Sequence, residues 1–164
     1  MLDDKNVDIF IKNNVLTAEE IKARYNTYIE RYNTLINIEL NTAIQMLKTK
    51  IIPTISNYQG KLVSTINDAA SSGVFKIQET FKPQIEIINT LAQNLNSISS
   101  KVKILEEEIE KLESLDTEQL IANTFANKLL PMLSDIRDIV DASENIVDDK
   151  EWPLPKYREM LFVY

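Results

Sequence analysis

One amphipathic stretch of about fifty residues constrains this chain more than any other feature. Thr17 and Glu20 have the spacing of a capping box, which predicts that a helix begins there. Beyond them, apolar residues recur at steps of mostly three and four, as on one face of a helix. If straight, this helix would be about 70 Å long, and a lone helix is only marginally stable in water, so other segments must pack along it. The predicted apolar stripe is Ile21, Tyr25, Tyr28, Tyr32, Leu35, Ala43, Met46, Leu47, Ile51, Ile55, Tyr58, Leu62 and Ile66.

Two residues within this stretch do not fit a simple helix. Pro53 removes a backbone hydrogen bond and clashes with the preceding turn, so we expect a kink near residues 49–52. A full break that gives a fourth bundle helix is the alternative, but the apolar pattern continues across Pro53 and favours continuity. Glu39 lies in the stripe, either as a buried carboxylate with a working role or at the edge of the stripe, paired with an arginine or a tyrosine hydroxyl. We favour the second interpretation, because structural ion pairs are common at such positions.

The rest of the chain predicts an all-α fold. Only two glycines occur in 164 residues, too few for a sheet protein with many tight turns, and Gly73 marks the clearest reversal. Short connections place consecutive helices antiparallel. We therefore expect residues 1–164 to form a single domain, an antiparallel bundle of three long helices (four if the first breaks at Pro53). The predicted segments are a short helix at 4–13, long helices at 17–66, 74–114 and 117–148, and an ordered tail at 149–164.

The second and third long helices each have an apolar face. Pro83 marks the first turn of the second helix, or a kink if that helix starts earlier, and Pro131 should kink the third. Asp116 or Thr117 is expected to cap the third helix. The second helix has alternating steps of four and three, which is coiled-coil spacing: Leu91, Leu95, Ile98, Val102, Leu105, Ile109 and Leu112. The face of the third is Ala122, Phe125, Ala126, Leu129, Leu133, Ile136, Val140, Ser143 and Val147.

Acidic residues form two rows that we interpret as solvated helix faces. A metal site is the alternative, but metal cages need convergent ligands of special geometry. Glu107 and Lys111 are expected to form a stabilising pair. The net charge of −7 argues against a nucleic-acid partner or an anionic membrane surface, and the longest apolar run is far short of a membrane span. The rows are Glu106, Glu107, Glu108, Glu110 and Glu113, and Asp135, Asp138, Asp141, Glu144 and Asp148.

The composition also excludes several kinds of active site. The chain contains no histidine and no cysteine, which excludes Ser-His-Asp and Cys-His nucleophiles, histidine-ligated zinc and disulfides. Two glycines do not make the usual phosphate loops. The stripe of Tyr25, Tyr28 and Tyr32 could face a ligand, although such stripes are more often core or interface. We predict that this chain contains no catalytic, cofactor-binding or metal-binding residue. The absence of cysteine and of a secretory signal favours a cytoplasmic location.

The tail carries a resemblance to a known family. Residues 152–157 read Trp-Pro-Leu-Pro-Lys-Tyr, and Leu161 and Phe162 follow. This resembles the C-terminus of type III glutamine synthetases, which end in Trp-Pro-x-Pro-x-Tyr and a Leu-Phe pair. Residues 32–39 and 51–58 resemble the family's Tyr-x-x-x-Ile-x-Ile-Glu and Ile-x-Pro-x-x-x-x-Tyr segments, and residues 130–144 resemble the helix before the tail. The resemblance covers most of residues 17–164.

This resemblance implies a function for a longer protein. Enzymes of the family make glutamine from glutamate, ammonia and ATP with Mg or Mn ions, in large rings, on a catalytic barrel upstream of this region. The resemblance therefore implies that this chain is a non-catalytic C-terminal helical domain and a fragment of a longer ligase. Its expected partners are the catalytic domain of the same chain and neighbouring subunits. A regulatory module whose tyrosine-rich groove or tail binds a ligand or a partner helix is one alternative. A free-standing coiled-coil adaptor unrelated to the synthetase is another.

Overall fold

A computed structural model describes residues 3–73, 76–155, 159 and 161. These residues form helices and connections without a strand, so the all-α prediction is confirmed. Within these ranges, every helix is too short or too polar to cross a lipid bilayer. The α-helices are α1 (Asp4–Lys12), α2 (Ala18–Met46), α3 (Ile52–Ser71), α4 (Ile77–Thr80), α5 (Lys82–Glu110), α6 (Glu118–Thr124) and α7 (Leu130–Glu144).

The first long helix is continuous across its proline. A π-helical turn at Leu47–Ile51 joins α2 to α3, and the backbone stays right-handed helical at both joints, so the three pieces form one helix of 54 residues. The predicted continuity across Pro53 is confirmed. The irregularity expected there takes the form of a wide turn instead of a break.

The same wide turn precedes Pro131, where the π-helical turn Phe125–Leu129 joins α6 to α7. Both turns lie in the same sequence pattern, a lysine, two aliphatic residues and a proline, at residues 50–53 and 128–131. The amide of Ile52 donates to the carbonyl of Leu47, and that of Leu130 to Phe125, five residues back in each case. Proline lacks an amide hydrogen, and its ring crowds the carbonyl four residues earlier. A locally wider turn relieves this clash, so the helix continues past the proline.

Capping explains several helix ends. The predicted capping box is present: the Glu20 amide donates to Thr17 Oγ1 over 3.2 Å, and the Thr17 amide donates to Glu20 Oε2 over 2.8 Å. The Thr17 amide first, and then the Thr17 hydroxyl, which donates to the same Oε2 over 3.0 Å, hold the pKa of the Glu20 carboxyl below its ordinary value. α1 stops where predicted, with Asn14 in the left-handed region at φ 52°. Thr117 caps α6, since its Oγ1 accepts from the Leu120 amide over 3.3 Å.

Two helix boundaries differ from the predicted ones, and a third is one of two predicted alternatives. The first long helix continues to Ser71 instead of ending at 66, just before Gly73 reverses the chain at φ 68°. The second begins at Lys82, the predicted alternative in which Pro83 lies in its first turn, because Phe81 leaves helical geometry and separates it from the short α4. The third ends at Glu144 instead of 148, because the Ile146 and Val147 amides both turn back to the same carbonyl, that of residue 143.

The core lies where α5 packs against both α3 and α7. The predicted seam of α5 and the predicted face of the third long helix belong to this core, apart from the exposed Ala126. The predicted stripe on α2 is wrong at Tyr28 and Leu35, whereas Tyr32 packs against the core. Tyr28 and Leu35 are 57% and 49% exposed, whereas Asn33 and Leu40 are buried. Glu39 is exposed and therefore does not lie in the apolar face.

The register of α5 can be tested with two neighbouring residues. Leu105 is fully buried and Ile104 is 48% exposed, so only one of them should matter for packing. We expect Leu105→Ala to lower the free energy of unfolding by about 2–5 kcal/mol through lost burial and the cavity that remains. Ile104→Ala should change it by less than about 0.5 kcal/mol. Urea denaturation followed by circular dichroism measures both, and similar effects of the two changes would contradict this packing.

Candidate functional site at the contact between α2 and α6

Two polar contacts fix the start of the third long helix against α2. The Asn33 amide nitrogen donates to the backbone oxygen of Glu118 over 2.9 Å and to its carboxylate Oε2 over 2.7 Å. About two helical turns before Asn33 on α2, the Tyr25 hydroxyl donates to the side-chain oxygen of Gln119. Both contacts hold the first turn of α6, so they set where the third long helix meets the first.

Asn33 is the buried polar residue at this contact. It is 6% exposed, and both hydrogens of its amide are used on Glu118. Its oxygen Oδ1 has no hydrogen-bond partner in the structure. Exchanging the amide oxygen and nitrogen would place an oxygen against two acceptors, so the contacts themselves fix the orientation. The site thus holds one buried acceptor without a partner among the described residues.

A groove of about 330 Å³ runs beside Asn33. Its acceptors and its apolar wall suit a group that donates hydrogen bonds and carries an apolar body. The polar lining is Asn33, Thr34, Asn37, Glu113 and Glu118, and the apolar lining is Ile38, Ile109, Leu112, Ile121 and Phe125.

The sequence did not single out Asn33, because an asparagine inside a helix usually faces solvent. The sequence does contain one signal for its burial. Asn33 lies seven residues before Leu40, a spacing that places both on the same face of the helix, and the structure buries both. The three tyrosines of the predicted stripe are divided between different surroundings. Tyr25 bonds to α6, Tyr32 packs against the core, and Tyr28 is exposed.

The acidic row of α5 forms ion pairs across the bundle. Glu108 accepts from Lys111 over 2.7 Å and from Lys128 of the second π-helical turn. These hydrogen bonds, that of Lys111 first, hold the pKa of Glu108 below its ordinary value and raise that of Lys111. Lys111 therefore bonds to Glu108 and not, as predicted, to Glu107, which lies 3.9 Å from Lys103. Among the described residues, three or more acidic side chains do not gather as a metal site would require.

The tail packs against the bundle in its described part. Trp152 is 7% exposed and belongs to the core, and Leu154 packs against the same core. The Lys61 amine and the Glu151 carboxylate, 2.5 Å apart, join the start of the tail to α3. The expectation of a packed tail is confirmed for these residues. The rest of the predicted tail, with the end of its motif, falls mostly outside the described residues.

The Glu108 contacts predict a pH dependence. A carboxyl group whose pKa is lower in the folded protein stabilises the fold at pH values above its ordinary pKa, and this contribution is lost as the pH falls through the folded value. Glu108→Gln should therefore be less stable than the wild type at pH 7, and the difference should shrink as the pH falls below about 4.5. Urea denaturation at several pH values measures it, with Glu107→Gln as the control. A difference that grows with acidity would contradict the assigned contacts.

The α2–α6 contact can be tested at Asn33. Asn33→Ala leaves the Glu118 carbonyl without its donor, and we expect a loss of about 1–3 kcal/mol in the free energy of unfolding. Asn37→Ala is the matched control, because Asn37 is exposed one turn further on and bonds only within its own helix. Equal losses for the two variants, measured by urea denaturation, would show that the buried contact contributes nothing of its own.

Comparison with known proteins identifies relatives along nearly the whole chain. A family model described as the glutamine synthetase C-terminal domain matches residues 1–70. The type-3 glutamine synthetase of Dictyostelium discoideum is 26% identical over 163 residues, which is 98% of this chain and 22% of that protein. The glutamine synthetase of Bacteroides fragilis (strain YCH46) is 24% identical over 98% of the chain and 22% of that protein. That of Butyrivibrio fibrisolvens is 23% identical, over 98% and 23%.

The chain spans about a fifth of the length of these curated relatives. The family match covers α1, α2 and almost all of α3, and the relatives extend the similarity through α5, α7 and the tail. Residues 1–70 therefore match the C-terminal domain family of glutamine synthetases, and 98% of the chain is similar to such enzymes, the family that its tail and helices resemble.

Proposed function

We propose that this chain is a structural and subunit-interaction module of a glutamine synthetase. It would support the catalytic part of the same polypeptide or contact neighbouring subunits. The observation that carries this proposal is the similarity of 98% of the chain to glutamine synthetases of which it spans only about a fifth. The parent reaction would be the ATP-dependent ligation of ammonia to glutamate with Mg or Mn, on groups outside this chain. We assign no catalytic, cofactor or metal residue to residues 1–164.

The side-chain contacts between helices support a mechanical role. Lys48 bonds to Glu106 over 2.5 Å, and Lys101 lies 3.1 Å from Asp135, so ion pairs join α5 to both other long helices. Exposed pairs of this kind add little to the free energy of unfolding. Together with the buried seam, these ion pairs fix the position of each helix along its neighbour. A module that holds other parts of a protein in place needs such a fixed arrangement of its helices.

The proposal predicts separate behaviour for the chain and its parent. The purified 164-residue chain should form no glutamine from glutamate, ammonia and ATP, measured by phosphate release. The parent enzyme without this region should lose part of its assembly or its thermal stability, measured by light scattering and calorimetry. Turnover by the chain alone, or a truncated parent that assembles and melts normally, would contradict the proposal. A reading frame that begins at Met1 with no catalytic part would favour the free-standing adaptor.

A ligand-binding regulatory module is the second candidate, and the groove beside Asn33 favours it. The groove combines an apolar wall with acceptor groups, and Asn33 Oδ1 has no partner. Calorimetry with glutamine, glutamate and nucleotides distinguishes the two candidates, because a purely structural module should give no heat of binding. A measured heat that disappears in Glu113→Gln, which changes only the rim of the groove, would support the regulatory function.

A further inference from the structure

The first long helix extends beyond the rest of the bundle at one end. It has 54 residues against 33 for the second long helix, a difference of about 30 Å in length. The two run antiparallel: Gln59 of the first bonds to the Ile88 carbonyl of the second, and Lys48 bonds to Glu106. Leu112, near the end of the second helix, lines a groove with Ile38. Most of the turns before residue 38 therefore lie past the end of α5.

Only part of this extension is covered. The first turn of α6 reaches it through Gln119 and Glu118, and α1 packs against its beginning. We call residues 4–38 the arm; it comprises α1, its connection to α2 and the turns of α2 up to residue 38. In the arm, Ile21 is buried, but much of the remaining apolar surface faces outward.

Exposed apolar side chains are concentrated on the arm. Among the described residues, eleven large apolar side chains are exposed, and seven of them lie in the arm although it makes up less than a quarter of the chain. Leu120, beside the Tyr25 contact, is exposed at the same end. Scattered single exposures are ordinary, but a concentration of this kind marks an interaction surface. The seven are Ile9, Phe10, Ile11, Val15, Tyr28, Leu35 and Ile38.

The arm lies in the part of the chain that the family model matches. The relatives are four to five times longer than this chain, and the family model that describes a C-terminal domain matches from residue 1, through the whole arm. A preceding catalytic part would join the chain at α1, directly beside the exposed side chains. Residues 4–38 carry five acidic and five basic side chains, so the arm offers apolar contact more than electrostatic attraction.

We propose that the apolar side chains of the arm dock against an apolar surface on the remaining part of the same glutamine synthetase polypeptide. This inference rests on the proposed function and assigns the contact to a particular surface. Stable interfaces bury about 800 Å² on each partner, so several of these side chains must act together. α1 has only nine residues, and a helix of this length is only marginally stable in water by itself. Docking of the arm would therefore hold α1 in place together with its packing on α2.

The test uses the parent enzyme with two matched double substitutions. The arm variant is Ile9→Ser with Phe10→Ser, at 58% and 39% exposure; the control is Val63→Ser with Ile104→Ser, at 40% and 48% exposure. Hydrogen exchange of the amides in α1 and the first turns of α2 is measured in each. We expect exchange at least tenfold faster in the arm variant than in the parent, and within twofold of the parent in the control. The isolated 164-residue chain carrying each variant should keep its helical circular dichroism.

Each other outcome has a defined meaning. If the arm variant exchanges like the control, the docking proposal is wrong; the proposed function is judged separately, by whether deleting the whole region harms the parent. If sedimentation shows that the isolated chain forms dimers that the arm variant dissociates, while the parent is unchanged, the arm binds a second copy and the proposal is overturned. If both variants accelerate exchange equally, the effect is not specific to the arm, and this also overturns it.

Discussion

The fold depends on the apolar seam of α5. Its buried residues contact both α3 and α7, so these two helices are related to each other mainly through it. Fully buried side chains such as Leu91, Ile98 and Leu105 fix the axial position of α5 by close packing. The ion pairs of Lys48, Lys101 and Lys128 with α5 and α7 then lie at the edges of the same seam. The packing sets the axial position of α5 relative to its neighbours. The ion pairs add little stability, but they would be lost if α5 shifted along its axis, so they disfavour the alternative positions.

The seams of α5 and α7 could be predicted because each is periodic, with few polar interruptions. The stripe on α2 was partly wrong for a physical reason. In that region apolar residues occur on several sides of the helix, so periodicity alone selects Tyr28 and Leu35 as readily as Ile36 and Leu40. Which side faces the core is decided by α6, whose position depends on the Asn33 contact. Tertiary packing decides that Asn33 is buried and that Tyr28 is exposed, and the local sequence pattern does not.

The two prolines illustrate a further limit of prediction. Pro53 and Pro131 indicate that the helix must deviate, but a kink, a break and a π-helical turn all satisfy that requirement. The structure selects the π-helical turn in both cases, because it keeps Leu47 and Ile51, and Phe125 and Leu129, buried on the same face. Pro83 likewise left two possible starts for the second helix, and the structure selects Lys82. The helix end near residue 145 was undetermined, since the helix ends there without a proline or glycine.

The wide turns also have a consequence for how such a domain tolerates changes in length. Each accommodates one residue more than an ordinary helical turn, and each α-helical residue rotates the chain by about 100°. Losing a single residue at Leu47–Ile51 would therefore rotate everything after it by roughly that angle and move Ile55 from the core toward solvent. Insertions and deletions should accordingly be confined to the connections at either end of the bundle, so related chains should differ in loop length while keeping the spacing between each proline and its helix face.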